Sequence, residues 1–259
     1  MTIRFGPAGL GGVKEALDTL EDYNKMGLRA CEIAFTYGVY IKNKEDAEKI
    51  GKKARELDIR LSIHAPYWIN LNSAEKKKIQ ESKIRILNCC KVGEWLQAKK
   101  VVFHPGYYGK MDEKITYENI KREIIELEKE IKKNKWKIKL APETTGKVNV
   151  FGKEEEILKL VKDTGCSFTI DFAHLHARSQ GKMSYKEMYD KVKSFESLHC
   201  HFSGIEYSSK GERRHADTPD AEIKKLLSVL PKNKDITIIN EAPNPPRDAT
   251  RMLKLWKSL

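Results

Sequence analysis

The chain has 259 residues, 40% of them hydrophobic, enough to bury a sizeable core as one α/β barrel or as two smaller domains. Forty-nine Lys and Arg stand against 37 Asp and Glu, a formal charge of +12 that favours a polyanionic partner, although a Lys-rich helical surface gives the same excess. No apolar run approaches a bilayer span, and "MTIRFGPAGLGG" reads as a short strand and a Gly turn without a signal-peptide pattern, so no membrane partner is expected.

The expected elements alternate from the start. "TIRFG" reads as a strand and "GVKEALDTLEDYNKMG" as the helix after it, with Gly27 where that helix should stop. "ACEIAF" and "KEDAEKIGKKARELD" follow, the helix stopping at Asp58; then come "IRLSIHA" and the long "SAEKKKIQESKIRILNCCKVGEWLQ". "KVVFHPG" precedes "TYENIKREIIELEKEIKKNK", in which Ile120, Ile124, Ile125, Leu127 and Ile131 make one apolar stripe at helical spacing. "KIKLAPE" leads to "EEEILKLVKD", which Gly165 should end, and "SFTIDFAH" leads to "YKEMYDKVKSF". "LHCHFSG" with "DAEIKKLLSVL", and "DITIINEAP" with "DATRMLKLWKSL", complete eight strand–helix units. With no Pro/Ser-rich linker or low-complexity tract between them, they argue for an α/β fold, a (β/α)8 TIM barrel forming a single domain over residues 1–259. A doubly wound open sheet is the alternative, but "FGPAGLGG" has the glycines without the usual dinucleotide fingerprint. Cys31, Cys89, Cys90, Cys166 and Cys200 are odd in number and show no CxxC spacing, so they are read as reduced packing residues of a cytoplasmic protein.

Catalytic residues of such barrels cluster at the C-terminal ends of strands. The third strand ends in His64, the fourth in His104, the fifth in Glu143, and the sixth in Asp171 with His174. The seventh ends in His201 and the eighth in Glu241, so six consecutive strands deliver a His, Glu or Asp to one rim. Imidazole and carboxylate suit a borderline divalent cation, zinc first and manganese second. Several carboxylates packed together without cations would be electrostatically costly, and one lying between two metals can bridge them. Glu143, midway along the rim, is placed for that bridge. The bland alternatives are a hydrogen-bonded polar rim and, for Asp171 alone, a helix cap. His199 is read as a filler of the barrel interior and His176 as a loop residue.

The ordered set "HAPYWINL", "FHPG", the Glu of "LAPETTG", "IDFAHLHA", "CHFSGIEYSSKGERRH" and "NEAPNP" resembles endonuclease IV, the zinc-dependent apurinic/apyrimidinic endonucleases, and the wider xylose-isomerase-like barrels. The resemblance spans nearly the whole chain. It implies one zinc held by His64, His104 and Glu143, and a second by Glu143, Asp171, His201 and Glu241, with Glu143 and Glu241 as catalytic carboxylates. His174 and His215 resemble two ligands of a third zinc. Two departures stand out. The family completes its third site with an Asp two residues before the last His, where this chain has Arg213; the nearest carboxylate is Glu212. The loop after the second strand is the short "TYGVYIKN", offering Tyr37 and Tyr40 in place of a longer loop with an Arg that enters DNA.

Tyr67 and Trp68 fall at the family's wedge positions, where an aromatic stacks on an exposed base. Lys110, Lys210, Arg213 and Arg214 are the expected contacts to the DNA backbone. The resemblance thus implies a monomer with two or three Zn2+ that hydrolyses the phosphodiester 5′ to abasic sites in double-stranded DNA and trims 3′ blocking groups, by metal-activated water. Two other classes are consistent with the sequence: a sugar-phosphate isomerase or epimerase on the same barrel, and a nucleic-acid-binding barrel without catalysis.

Overall fold

The computed structural model describes residues 3–259. Eight parallel strands close a barrel: β1 (Ile3–Pro7), β2 (Ala30–Ala34), β3 (Arg60–His64), β4 (Lys100–Phe103), β5 (Lys139–Pro142), β6 (Ile170–Asp171), β7 (Ser197–Phe202) and, last in the chain, β10 (Asp235–Asn240). They form two four-stranded ladders, β2-β3-β4-β5 and β1-β10-β7-β6. Single bridges stitch the ladders together, Ala8 to Glu32 on one side and Glu143 to Thr169 on the other. The barrel is therefore looser at two seams, and each seam carries a fully buried carboxylate, Glu32 at one and Glu143 at the other.

Helices cover the outside: α1 (Ala16–Lys25), α2 (Lys44–Glu56), α3 (Lys76–Leu96), α4 (Glu113–Lys133) and α5 (Glu154–Thr164) on the first half. Then come α6 (Phe172–Arg178), α7 (Tyr185–Val192), α8 (Asp220–Val229) and α9 (Pro245–Lys257). Gly27, Asp58 and Gly165 adopt positive φ just past α1, α2 and α5, as the expected stops require. In α4 the stripe of Ile120, Ile124, Leu127 and Ile131 is buried, and the Asp112 carboxylate caps its first turn. All five cysteines are free and buried. Among the described residues no helix is long and apolar enough to cross a membrane.

Three local expectations need correction. β6 is hydrogen-bonded over Ile170–Asp171 only, because the Asp171 carboxylate accepts from the His174 N–H and starts α6 immediately. His176 consequently sits half-buried on a helix, with its ring beside Tyr185 and Tyr207, instead of on a loop. The third is an unexpected antiparallel hairpin, β8 (Gly204–Ser208) and β9 (Gly211–Ala216), inserted after β7 over the barrel mouth.

Candidate metal centre

Side chains two apart on a strand share a face. On β3 the inward set is Arg60, Ser62 and His64; on β7 it is Ser197, His199 and His201, with Leu198, Cys200 and Phe202 buried on the other face. The same count along β4 and β5 carries the inward face from Lys100 to His104 and from Lys139 to Glu143. The strands are apolar toward the helices, so the register that buries Leu61, Ile63, Val101 and Phe103 also sends the ligand-type residues inward.

Glu143, fully buried, lies between two groups. Its Oε2 is 3.2 Å from His64 Nε2 and 3.0 Å from His104 Nε2, while its Oε1 is 2.9 Å from His201 Nδ1. The ligand atoms of His64, His104 and Glu143 all lie within 4.8 Å of one another. The same holds for Glu143, Asp171, His201 and Glu241, and for His174, Glu212 and His215. Eight buried side-chain polar atoms have no hydrogen-bond partner among the described residues; Glu143 Oε1, Asp171 Oδ2, His174 Nε2 and both His201 nitrogens are five of them. Contacts of 2.9 Å without a hydrogen bond leave these atoms close to one another but unsatisfied, and buried polar atoms left so are costly. A divalent cation in each group satisfies them, so the donor set fits zinc.

The far side of nearly every ring is anchored. His64 Nδ1 bonds the Ala65 carbonyl at 2.8 Å, His174 Nδ1 the Thr144 carbonyl at 2.9 Å, and His215 Nδ1 the Ser203 hydroxyl at 2.6 Å. Each bond turns Nε2 toward the site. His201 turns the other way: its Nε2 lies 2.9 Å from Glu32 Oε1 without hydrogen-bonding it, and Glu32, His199 and His201 form a further group whose ligand atoms lie within 4.8 Å of one another. Glu32 is fully buried; its second oxygen takes the Ser62 hydroxyl at 2.6 Å and meets His199 Nε2 at 3.0 Å. Sequence reading passed over Glu32, although a lone acid between Cys31 and Ile33 in a barrel strand is a usable signal. His199 fills the interior, as expected. Glu32→Gln is expected to weaken metal binding at the His201 position by about 10–100-fold in chelator competition, as losses behind a ligating His do; unchanged affinity would leave Glu32 a packing residue.

Electrostatics follow from this crowding. Burial alone would raise Glu143, but the imidazoles of His201 and His104 hold it well below the usual carboxylate range. Glu241 is likewise brought down to about 2, against burial, by His201. Burial and the neighbouring Glu143 and Glu241 push Asp171 up, against His174. Burial lowers His64, yet Glu143 outweighs it and lifts the ring to about 9 from 6.5. A raised folded-state pKa stabilises fully below 6.5 and is lost as pH rises through about 9. Chelated protein should therefore lose on the order of 3 kcal/mol of stability across that window, read as a falling Tm. Metal-loaded protein should not, since the cation replaces those protons.

Glu212 reaches the third group through a bulge. Tyr207 pairs with Glu212 and Glu206 with Arg214, leaving Arg213 as the extra residue. On a regular strand positions 212 and 215 would face opposite sides; the bulge brings Glu212 and His215 to one face. Glu212 Oε2 lies 3.5 Å from His174 Nε2, and Arg213 points to solvent. Gly146 makes room: a Cβ there would stand 2.6 Å from Glu212 Cβ and 3.1 Å from His174 Cδ2.

The cavity above the centre, about 360 Å³, is lined by His64, His104, His174, Glu212, His215 and Glu241, with Tyr67 and Lys147 at its edge. Lys147, which sequence reading did not single out, also borders the adjoining cavity with Tyr107. Tyr37, at 84% exposure, and Trp68, at 62%, stand on the surface outside the lining of either cavity. Lys110, Lys210 and Arg213 are exposed, and Arg214 is engaged by Glu206 at 2.7 Å. Tyr40 instead packs edge-on against Phe35.

A family model described as a xylose isomerase-like TIM barrel matches residues 20–259. An uncharacterized protein of Methanocaldococcus jannaschii is 36% identical over 270 aligned positions, covering 98% of this chain and 97% of that protein. Among solved structures, SacUVDE superimposes with a TM-score of 0.76 at 17% identity, over 100% of this chain and 98% of that one. Endonuclease IV from Thermus thermophilus gives 0.72 at 18% identity, covering 98% of each chain. D-psicose 3-epimerase from Clostridium cellulolyticum gives 0.71 at 13%, covering 100% and 99%. At these identities the likeness is one of fold.

Proposed function

Since the chain belongs to the xylose isomerase-like TIM barrel family, we propose that its rim is a zinc centre that hydrolyses the phosphodiester 5′ to abasic sites in double-stranded DNA. One observation carries the reading: the two oxygens of the fully buried Glu143 face separate His-containing groups, the arrangement of a carboxylate shared by two metals. Bound zinc supplies the Lewis acidity that makes water nucleophilic near neutral pH and neutralises charge building on the phosphoryl group. The chain's own residues do the rest. Glu143, Asp171 and Glu241 would hold the cations whose positive charge faces the reacting phosphate, and Glu32, Thr144, Ala65 and Ser203 orient the imidazoles. His174, Glu212 and His215 form the third metal position, Glu212 standing in for the missing Asp. Tyr67 offers a stacking face at the cavity edge and Lys147 a cation for a phosphate. Outside the cavity Tyr37, Trp68, Lys110, Arg213 and Arg214 serve the flanking duplex.

Incubating zinc-loaded protein with a duplex bearing one abasic analogue is expected to give a single nick with a 3′-hydroxyl. A second reading, metal-assisted isomerisation or epimerisation of a sugar phosphate, is favoured by the cavity's modest volume of about 360 Å³, the size of small-ligand sites. Intact duplex together with turnover of a ketose phosphate would replace the first reading with the second. The third position has its own check: Gly146→Ala is expected to displace Glu212 and lower zinc content by one ion per chain, measured by elemental analysis.

A further inference from the structure

We infer that the opposite, N-terminal mouth of the barrel is a binding site for a small phosphorylated ligand, held by Arg60, Lys99, Lys100, Lys137 and Lys139. These five cations line one cavity of about 400 Å³, in which Asp235 is the only acid. That acid is already engaged: Arg60 Nη1 donates to its two oxygens at 2.9 and 3.0 Å, and to the Thr237 hydroxyl at 3.1 Å. The four lysines have no ion-pair partner among the described residues, so the cavity keeps an uncompensated positive charge.

The placement is built into the strands. Arg60, Lys100 and Lys139 are the first residues of β3, β4 and β5, and Lys100 is the direct ladder partner of Lys139. Like charges opposite each other on neighbouring strands destabilise a sheet, and exposed alternatives for a lysine are plentiful on this chain. Lys100 is the most constrained. Its ammonium donates to the Phe168 carbonyl at 3.1 Å and lies 5.8 Å from the centre of that ring, which leaves donors free to face the cavity. Burial, reinforced by Lys139 and Arg60, lowers it to about 8. An oxyanion set among these groups would relieve the repulsion and accept charge-assisted hydrogen bonds from several of them at once.

The cavity has room for more than a bare phosphate, and His199 and Thr237 add polar groups to its wall. A duplex presents its phosphates on a convex surface and cannot enter such a recess, which favours a small ligand. His199 also touches Glu32 at 3.0 Å, and Glu32 touches His201, so the two ends of the barrel interior are joined by one buried chain of side chains. The inference does not depend on the phosphodiesterase reading.

Inorganic pyrophosphate is the probe, titrated calorimetrically into zinc-loaded protein at ionic strength fixed with chloride. Because the metal centre also attracts phosphates, wild type is compared with Lys100→Gln/Lys139→Gln. The double variant is expected to bind one pyrophosphate fewer per chain. Without ligand it should melt higher than wild type, since cation repulsion has been removed, and its Tm gain on adding pyrophosphate should shrink. The single exposed variant Lys139→Gln, which leaves the half-buried Lys100 in place, should weaken this site at least tenfold. Equal stoichiometry and affinity in wild type and variants, or no binding by wild type, would overturn the site. Displacement of the probe by undamaged duplex DNA would overturn the small-ligand assignment.

Discussion

Glu143→Ala is expected to abolish hydrolysis, by on the order of 10³-fold or more, and to remove more than one metal ion per chain. The reason is topological. Glu143 directly follows β5 at one of the two single-bridge seams, where its backbone pairs with Thr169 and its side chain enters the barrel mouth. Each carboxylate oxygen approaches a different imidazole group, at 3.0 Å from His104 and 2.9 Å from His201. Truncation therefore costs both groups a ligand, and it leaves His64, His104 and His201 without the charge that holds them together. Loss of a single ion would indicate a terminal ligand. Full metal content, measured by elemental analysis on dialysed protein, would remove the bridging role.

Affinity for duplex DNA should fall steeply with salt. If about four of the exposed rim cations, among them Lys110, Lys147, Lys210 and Arg213, each neutralise a phosphate, the log–log slope is roughly −3.6. Raising salt from about 50 to 200 mM would then weaken binding on the order of a hundredfold. Arg214 should contribute less, because Glu206 already holds it at 2.7 Å. Fluorescence anisotropy across that range measures the slope. A flat response would assign the +12 charge to general surface character and move the balance toward a small sugar substrate.

The barrel was legible because its strands and helices have different apolar periods. "IKREIIELEKEIKK" repeats at helical spacing, and β-branched runs such as "ITIIN" carry the buried strands. Strand ends carried the six rim positions, since each ligand-type residue closes a run of apolar ones. Other features were hidden for physical reasons. A seven-residue helix such as α6 is too short to display a period, and its start depends on an Asp171 carboxylate that also belongs to the candidate site. The β8–β9 hairpin is mostly exposed, so "GIEYSSKGERRHA" shows no apolar alternation. Its bulge at Arg213 is what gives Glu212 and His215 a common face, and nothing in a one-dimensional spacing of three discloses that. Glu32 was missed because it lies in mid-strand, a full layer below the rim on which attention falls. Lys147 was missed because a lysine in a polar loop has no pattern until the loop folds over the cavity.

Diffraction from zinc-supplied crystals above and below the zinc edge examines the metal centre itself. Three anomalous peaks are expected: one among His64, His104 and Glu143, one among Glu143, Asp171, His201 and Glu241, and one among His174, Glu212 and His215. The third should lie within about 2.0–2.2 Å of both imidazoles. Absence of peaks from the Glu143 groups would contradict the zinc centre outright, and an Arg213 guanidinium in place of the third peak would contradict the role given to Glu212.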